Sequence, residues 1–397
     1  MNSVTQQLAV KKLLPAKSGR LSLAFSGSLD SITNHQLPIT LLLAWLLVWP
    51  AFTQGAEDPV LNVYNWADYI APETIENFEH EFGIEVRYDT YDSSETVEAR
   101  LLSGQTGYDV VDVAYYNASR LIPAGVFMPL DRERLPLHGN LDPWVMRQAQ
   151  AYDPDNRHGV PYMWGSTGFA YNARLVEQFL PGAPVDSGDM LFDPAVVSRL
   201  SGCGVTWVDE PSDLIPMVLI YLGLDPNSMV TDDLARAEAQ LKSVRPYIRY
   251  FSSTRMMIDL PNEDVCVAMS YAGDYMQAKD RALEVGSDVP LRYTAPVEGS
   301  TMWTDGMFIP ADAPHPDNAH KFINYLLRPE VVASISNFIH YANANVAAAP
   351  YMDPELLADL AAYPDEEARE RLRQRHAFGP KEERQRMRVW SRVKTGL

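Results

Sequence analysis

A β–α–β pattern over residues 61–91 places the strongest constraint on how this chain can fold. Residues 61–64 have the apolar composition of a short strand, and Pro72 suits the first turn of a following helix. Gly83 suits the end of that helix, and residues 84–91 alternate apolar and charged side chains like a second strand. Strand, helix and strand in this order predict parallel pairing through a right-handed crossover. We therefore expect an α/β protein.

The same alternation continues through the chain, whose 397 residues suffice for two domains. Strands are predicted at residues 108–113, 160–164, 169–171, 204–208, 265–270, 291–295 and 307–309. Helices are predicted at residues 214–222, 234–244 and 315–327, and from Pro354 to the end of the chain.

The N-terminal residues 1–56 have the pattern of a signal peptide. Basic residues precede an apolar run at residues 39–49, which is shorter than the roughly 20 residues of a membrane span. Small residues suited to cleavage follow at residues 51–56. An uncleaved anchor or an early start codon are the alternatives. We expect an exported, periplasmic protein.

The acidic composition argues against some partners. The net charge is −19, and it is −22 beyond residue 56, because the first 56 residues hold four bases and one acid. Such a surface repels nucleic acid and anionic lipid and attracts cations, although solubility alone could explain it.

The chain has two cysteines, Cys203 and Cys266. In an exported protein an even pair favours one disulfide over two buried thiols.

Aromatic and acidic residues recur where predicted strands end, which is where open α/β sheets bind ligands. Each one alone is commonly a core or turn residue, but five connections share the pattern. An organic cation would use the acids as partners and the aromatic faces as walls. The candidate acids are Asp68, Asp213, Asp274 and Asp305, and the candidate walls are Trp66, Tyr271, Trp303 and Tyr341.

Motifs for common enzyme chemistry are missing from the sequence. It has no GxSxG, HExxH, GxGxxG or GxxxxGKS, and its eight histidines are not at metal-ligand spacing. We therefore expect no catalysis, no cofactor and no metal. Carbohydrate binding or hydrolysis stays an alternative, since aromatic residues and paired acids serve that chemistry too.

Longer stretches of sequence carry a more specific resemblance. They are VYNWADYIAPETIENFEHEFGIEVRYDTYDSSE (63–95), GYDVV (107–111), AGVFMPLD (124–131), DPDNRHGVPYMWGSTGFAYN (153–172), CGVTWVDEPSD (203–213), DVCVAMSYAGD (264–274), FINYLLRPEVVASIS (322–336) and YANAN (341–345). Together they resemble the periplasmic polyamine-binding proteins of ABC transporters, the putrescine and spermidine receptors.

The resemblance implies a type II periplasmic-binding-protein fold, in which two α/β lobes joined by a hinge enclose a ligand cleft. Lobe 1 would comprise residues 57–163 and 282–328, and lobe 2 would comprise residues 164–281 and 329–397. The ligand-binding residues that it implies are Trp66, Asp68, Tyr69, Tyr116, Asp213, Tyr271, Asp274, Trp303, Asp305 and Tyr341.

By the same resemblance, a monomer would capture a polyamine and deliver it to an ABC permease. The alternative is a polyamine sensor that signals to a membrane receptor.

The sequence also departs from the family pattern at the expected site. Ala67 stands where Ser or Thr is usual, and Ala114 where Ser is usual. Tyr271 replaces Trp, and Asp213 stands where Glu is usual, while Tyr116 resembles the spermidine-type receptors. These departures leave room for a specificity that differs from either receptor class. Asp213, Trp303 and Tyr116 together favour spermidine-like or unusual diamines.

Overall fold

The computed structural model describes residues 57–396, so the predicted signal segment at residues 1–56 lies outside the described residues. A mixed β-sheet flanked by helices forms the described part. Its strands are β1 (Val60–Trp66), β2 (Glu85–Tyr91), β3 (Val110–Ala114), β4 (Gly159–Asn172), β5 (Val205–Trp207), β6 (Ile248–Phe251), β7 (Val267–Tyr271), β8 (Leu291–Thr294), β9 (Ser300–Phe308), β10 (Ala342–Asn343) and β11 (Leu372–Gln374).

Helices cover both faces of the sheet. They are α1 (Pro72–Phe82), α2 (Ser94–Leu102), α3 (Tyr115–Leu121), α4 (Pro143–Ala149), α5 (Ala173–Phe179), α6 (Asp189–Phe192), α7 (Pro194–Leu200), α8 (Pro211–Tyr221), α9 (Thr231–Val244), α10 (Met256–Asp259), α11 (Ala272–Glu284), α12 (Pro316–Leu326), α13 (Pro329–Ile339), α14 (Pro354–Ala358), α15 (Glu366–Glu370) and α16 (Pro380–Thr395). No helix within residues 57–396 is both long and apolar enough to cross a bilayer.

Two parallel segments of sheet are joined through antiparallel strands. The strand order is β2-β1-β3-β9-β4-β7-β5-β6, with β8 and β10 also paired to β4 and β11 paired to β9. Strand β1 runs parallel to β2 and β3, and β5 runs parallel to β6 and β7. Strands β4 and β9 pair antiparallel between these two segments. This arrangement places the carboxyl ends of strands from both segments around one cleft, as in a two-lobe solute-binding fold.

The predicted β–α–β unit is confirmed. Strands β1 and β2 are parallel neighbours, and α1 begins at Pro72. The helix ends at Gly83, whose φ of 65° is a left-handed conformation that glycine adopts without steric cost. Helix α1 packs on the sheet through Phe78, which is fully buried and meets the ring of Phe322 at 5.0 Å.

Two predicted strand boundaries are wrong. Residues 160–171 form one strand, β4, rather than two, and Gly165 within it leaves room for the indole of Trp303. Trp303 and Asp305 were expected just before a strand, but they lie inside β9. The sheet tolerates the Asp305 carboxylate because the Tyr69 hydroxyl donates a hydrogen bond to it.

The prediction of helix from Pro354 to the end of the chain is also wrong in part. Strand β11 interrupts the helices and pairs in parallel with β9. Residues 375–379 between β11 and α16 are not helical. Helix α16 then packs its apolar side, with Val389 and Trp390, into the hydrophobic core that contains Leu214 of α8.

The C-terminal helices pack into two different hydrophobic clusters. Helix α13 contributes Val332 and Ile335 to the cluster that contains Leu61 of β1, whereas α16 belongs to the cluster around β5 and α8. The predicted residue boundaries of the two lobes stay a prediction.

The predicted disulfide between Cys203 and Cys266 is present. Cys203 precedes β5 and Cys266 precedes β7, and these two strands are parallel neighbours. The bond therefore joins two adjacent strand starts.

Candidate functional site

All ten predicted ligand-binding residues line a single cleft with a volume of about 660 Å³. That volume is within the usual range for small-molecule sites. The structure brings the residues together from the end of β1 and the turn after it, from the end of β7, from α3, α8, α11 and β9, and from the segment after α13. Ligand binding by them stays a prediction. Those residues are Trp66, Asp68, Tyr69, Tyr116, Asp213, Tyr271, Asp274, Trp303, Asp305 and Tyr341.

The turn after β1 presents three of these side chains. Trp66 ends the strand and packs against Tyr91, with ring centroids 4.4 Å apart. Asp68 is exposed and has a φ of 55°, a left-handed conformation that Asp tolerates better than most residues. Tyr69 then turns into the protein and is buried. Ala67, which stands where a hydroxyl is usual in the family, also lines the cleft.

Two buried aspartates of the cleft are each held by a tyrosine. The Tyr69 hydroxyl donates to Asp305 at 2.9 Å, and the Tyr341 hydroxyl donates to Asp274 at 2.6 Å. Burial raises the pKa of Asp274 to about 6, although the hydrogen bond from Tyr341 opposes the rise. Burial likewise raises the pKa of Asp305, opposed by the bond from Tyr69. Both carboxyls are therefore poised to lose a proton near neutral pH.

A further buried aspartate, Asp112, is close enough to Asp305 for their charges to interact. Asp112 of β3 is fully buried, and neither of its carboxyl oxygens has a hydrogen-bond partner among the described residues. Burial and the neighbouring Asp305 raise the pKa of Asp112 well above its usual value. Asp305 lines the cleft, whereas Asp112 lies behind the cleft surface.

Aromatic rings connect the acids into a continuous wall. The ring of Trp303 lies edge-on to Tyr341 at 5.1 Å and to Tyr271 at 6.3 Å. Tyr341 in turn meets Tyr69 at 5.6 Å. The Trp303 indole N–H is buried and has no acceptor among residues 57–396. Such a wall offers π-faces along the space between separate carboxylates.

Two glycines make room for this wall. A Cβ at Gly273 would lie 2.4 Å from the ring of Tyr341, and a Cβ at Gly165 would lie 2.6 Å from that of Trp303. Real Cβ atoms do not approach so closely, so any other residue at either position would displace the ring above it.

Asp213 differs from Asp274 and Asp305 because a base already pairs with it. It accepts hydrogen bonds from Tyr271 at 2.9 Å and from Thr167 at 3.3 Å. Its carboxylate also forms an ion pair with Arg375, at 3.2 Å. In contrast, no Lys, Arg or His in the described part of the chain forms an ion pair with Asp274 or Asp305.

Tyr116 is surrounded by charged side chains. Its hydroxyl donates to Glu383 of α16, and the guanidinium groups of Arg120 and Arg375 each lie 5.0 Å from its ring centre. The sequence analysis selected acids and aromatics and did not select Arg120, Arg375 or Glu383. Arg375 lies inside the segment that was predicted to be helical from Pro354 onward, so no strand-end pattern pointed to it.

The described residues contain no cluster of three or more His, Cys, Asp or Glu that could hold a metal ion. Separately, the carboxylates and aromatic faces of the cleft are groups suited to contact an organic cation.

Comparison with known proteins gives a consistent result. Residues 73–365 match the family described as bacterial extracellular solute-binding protein. The chain is 44% identical to the putrescine-binding periplasmic protein PotF of Escherichia coli, over 87% of this chain and 94% of that protein. It is also 44% identical to a putrescine/agmatine-binding protein of Pseudomonas aeruginosa, over 85% of this chain and 92% of that protein.

A solved structure agrees with the fold. The spermidine/putrescine ABC transporter substrate-binding protein PotD from Streptococcus pneumoniae superposes with a TM-score of 0.73 at 27% identity. The match covers 85% of this chain and 98% of that chain.

Proposed function

Because the chain belongs to the family of bacterial extracellular solute-binding proteins, we propose that it captures a polyamine of the putrescine or spermidine class in the periplasm and delivers it to an ABC permease. The observation that carries this proposal is the pair Asp274 and Asp305, two buried carboxylates beside an aromatic wall with no basic partner. We propose that the protein acts as a monomer and catalyses no reaction.

The physical argument rests on the cost of buried charge. An ionised carboxylate without a cation is unstable in a buried site, so an ammonium that enters gains strong charge-assisted hydrogen bonds. The rings of Trp303 and Tyr341 add cation–π attraction of about 0.5–2 kcal/mol, which is greater where water is excluded. Closure of the two lobes around the ligand would exclude water and so strengthen both the hydrogen bonds to the carboxylates and the cation–π attraction.

Calorimetric titration tests the proposal directly. Putrescine, cadaverine, spermidine and agmatine would each be titrated into the mature protein, with 1,4-butanediol as a neutral control of the same length as putrescine. We expect one-to-one binding of at least one amine below millimolar and no heat from the diol. Failure of all four amines to bind below millimolar would contradict the proposal.

We also expect diamine binding to weaken as the pH falls. The pKa of Asp274 in the empty cleft is about 6, so roughly nine in ten of these carboxyls are protonated at pH 5 and a cation must displace that proton. Affinity should therefore be at least about tenfold lower at pH 5 than at pH 8, and binding near pH 6 should release protons. Calorimetry in two buffers of different ionisation enthalpy would measure the number of protons released per ligand bound. Constant affinity over this range would show that the carboxyls do not bind the ammonium.

A further inference from the structure

Arg375 reaches the cleft from a part of the chain that the site otherwise does not use. It follows β11, which pairs with β9, so the segment between β11 and α16 runs beside the cleft wall. The residue is only 8% exposed although it carries a permanent charge. The Tyr152 hydroxyl anchors the segment by donating to the backbone carbonyl of Arg375.

The contacts of the Arg375 guanidinium fix it beside Asp213. Its Nη1 lies 3.2 Å from the Asp213 carboxylate and donates to the Ser212 hydroxyl at 2.8 Å. Its central carbon lies 5.0 Å from the ring centre of Tyr116. A ligand ammonium would need the same two neighbours, a carboxylate and an aromatic face. Here a residue of the chain supplies that cation.

Two other bases of the cleft wall also form ion pairs. Arg120 pairs with Glu98 at 2.6 Å and with Glu383 at 3.3 Å, and Lys394 pairs with Asp209 at 2.7 Å. Arg386 also lines the cleft and donates to the backbone carbonyls of Pro226 and Ser228. Neither Asp274 nor Asp305 forms an ion pair with a base among residues 57–396. Burial raises the pKa of Asp305 and the nearby Arg375 opposes that rise, so the guanidinium acts on Asp305 as well as on Asp213.

We propose that Arg375 takes the place of a second ligand ammonium, so that the cleft selects an amine with one cationic end and an uncharged far end, such as an N-acylated diamine. This inference rests on the proposed function, since it names the subclass of amine that the same cleft takes. A ligand ammonium that competes for Asp213 loses translational and rotational freedom on binding, whereas tethered Arg375 does not. The second ammonium of a diamine would also lie next to the guanidinium and be repelled by it.

Titrations of the unaltered protein with putrescine and N-acetylputrescine test the inference without any substitution. The two amines share one end and differ in the charge of the other. We expect N-acetylputrescine to bind at least as tightly as putrescine. Putrescine binding more than tenfold tighter than N-acetylputrescine would overturn the inference.

Substitution of Arg375 provides the second test. In Arg375→Gln the carboxylate of Asp213 becomes available, so we expect the affinity ratio of putrescine to N-acetylputrescine to rise at least tenfold. Arg375→Lys keeps the charge and should keep the original ratio. Arg373→Gln removes the same charge from an exposed position of the same segment and should change nothing. An unchanged ratio in folded Arg375→Gln would overturn the inference.

The two proposals fail in different ways. If neither amine bound to the unaltered protein or to Arg375→Gln, the receptor function itself would be contradicted, and the inference with it. If both amines bound and putrescine were strongly preferred, the receptor function would stand and only the role of Arg375 would be overturned.

Discussion

Replacing Asp274 and Asp305 together by asparagine is expected to weaken amine binding at least a hundredfold. Each carboxylate would contribute a hydrogen bond to a charged group, which is worth about 1.5–3 kcal/mol, or tenfold and more in affinity. Asparagine keeps the shape and can still accept the bonds from Tyr341 and Tyr69, so the loss is mainly that of charge. Calorimetry with the tightest-binding amine would measure the effect, and each single variant should lose at least about tenfold.

The stability of the double variant separates lost binding from lost folding. Burial disfavours the ionised forms of Asp274 and Asp305, so neutral amides should not destabilise the ligand-free protein at pH 7.5. A matched control is Asp232→Asn with Asp312→Asn, which removes the same charge from two exposed positions. We expect the control to bind with nearly unchanged affinity. Unchanged affinity in the cleft variant would show that these acids do not form the cation site.

Local sequence signals predicted the first part of the fold well. The β–α–β unit depends on nearby features, namely Pro72 at a helix start, Gly83 in a left-handed conformation and alternation along β2. Strand β9 was predicted poorly because the Asp305 carboxylate is stabilised by Tyr69, which is 236 positions away in the sequence. A sequence pattern does not reveal such a distant partner, so Asp305 was interpreted as a residue of a connection.

The sequence predicted which acidic and aromatic residues line the cleft. It did not predict which of those acids are paired with a base. Five strand-end clusters identified acids and aromatics that the structure brings to one cleft. Arg375 was missed because β11 has three residues and is formed through its pairing with β9. Two family departures, Asp213 and Tyr271, lie beside this arginine, the first in an ion pair with it and the second one hydrogen bond away. The ring of Tyr116 is also next to it. Only the folded chain shows that these residues are neighbours.

Removing the disulfide is expected to have the largest effect on stability of any change considered. Cys203 and Cys266 are 63 positions apart, and closing a loop of this length stabilises by about 4 kcal/mol in the chain-entropy model. We expect Cys203→Ala with Cys266→Ala to lower the free energy of unfolding by an amount of that order. Urea unfolding would show this as a lower midpoint, with a slope that reports how compact the unfolded chain is.

Ligand affinity serves as the control for this prediction. Neither cysteine lines the cleft, and both are buried where β5 and β7 begin. The double alanine variant should therefore bind the same amine within about twofold at temperatures where it is folded, because its site residues keep their positions. Chemical reduction of the unaltered protein under mild denaturant should reproduce the stability loss. A variant as stable as the unaltered protein would show that the native packing around β5 and β7, and not the covalent bond, holds these strand starts together.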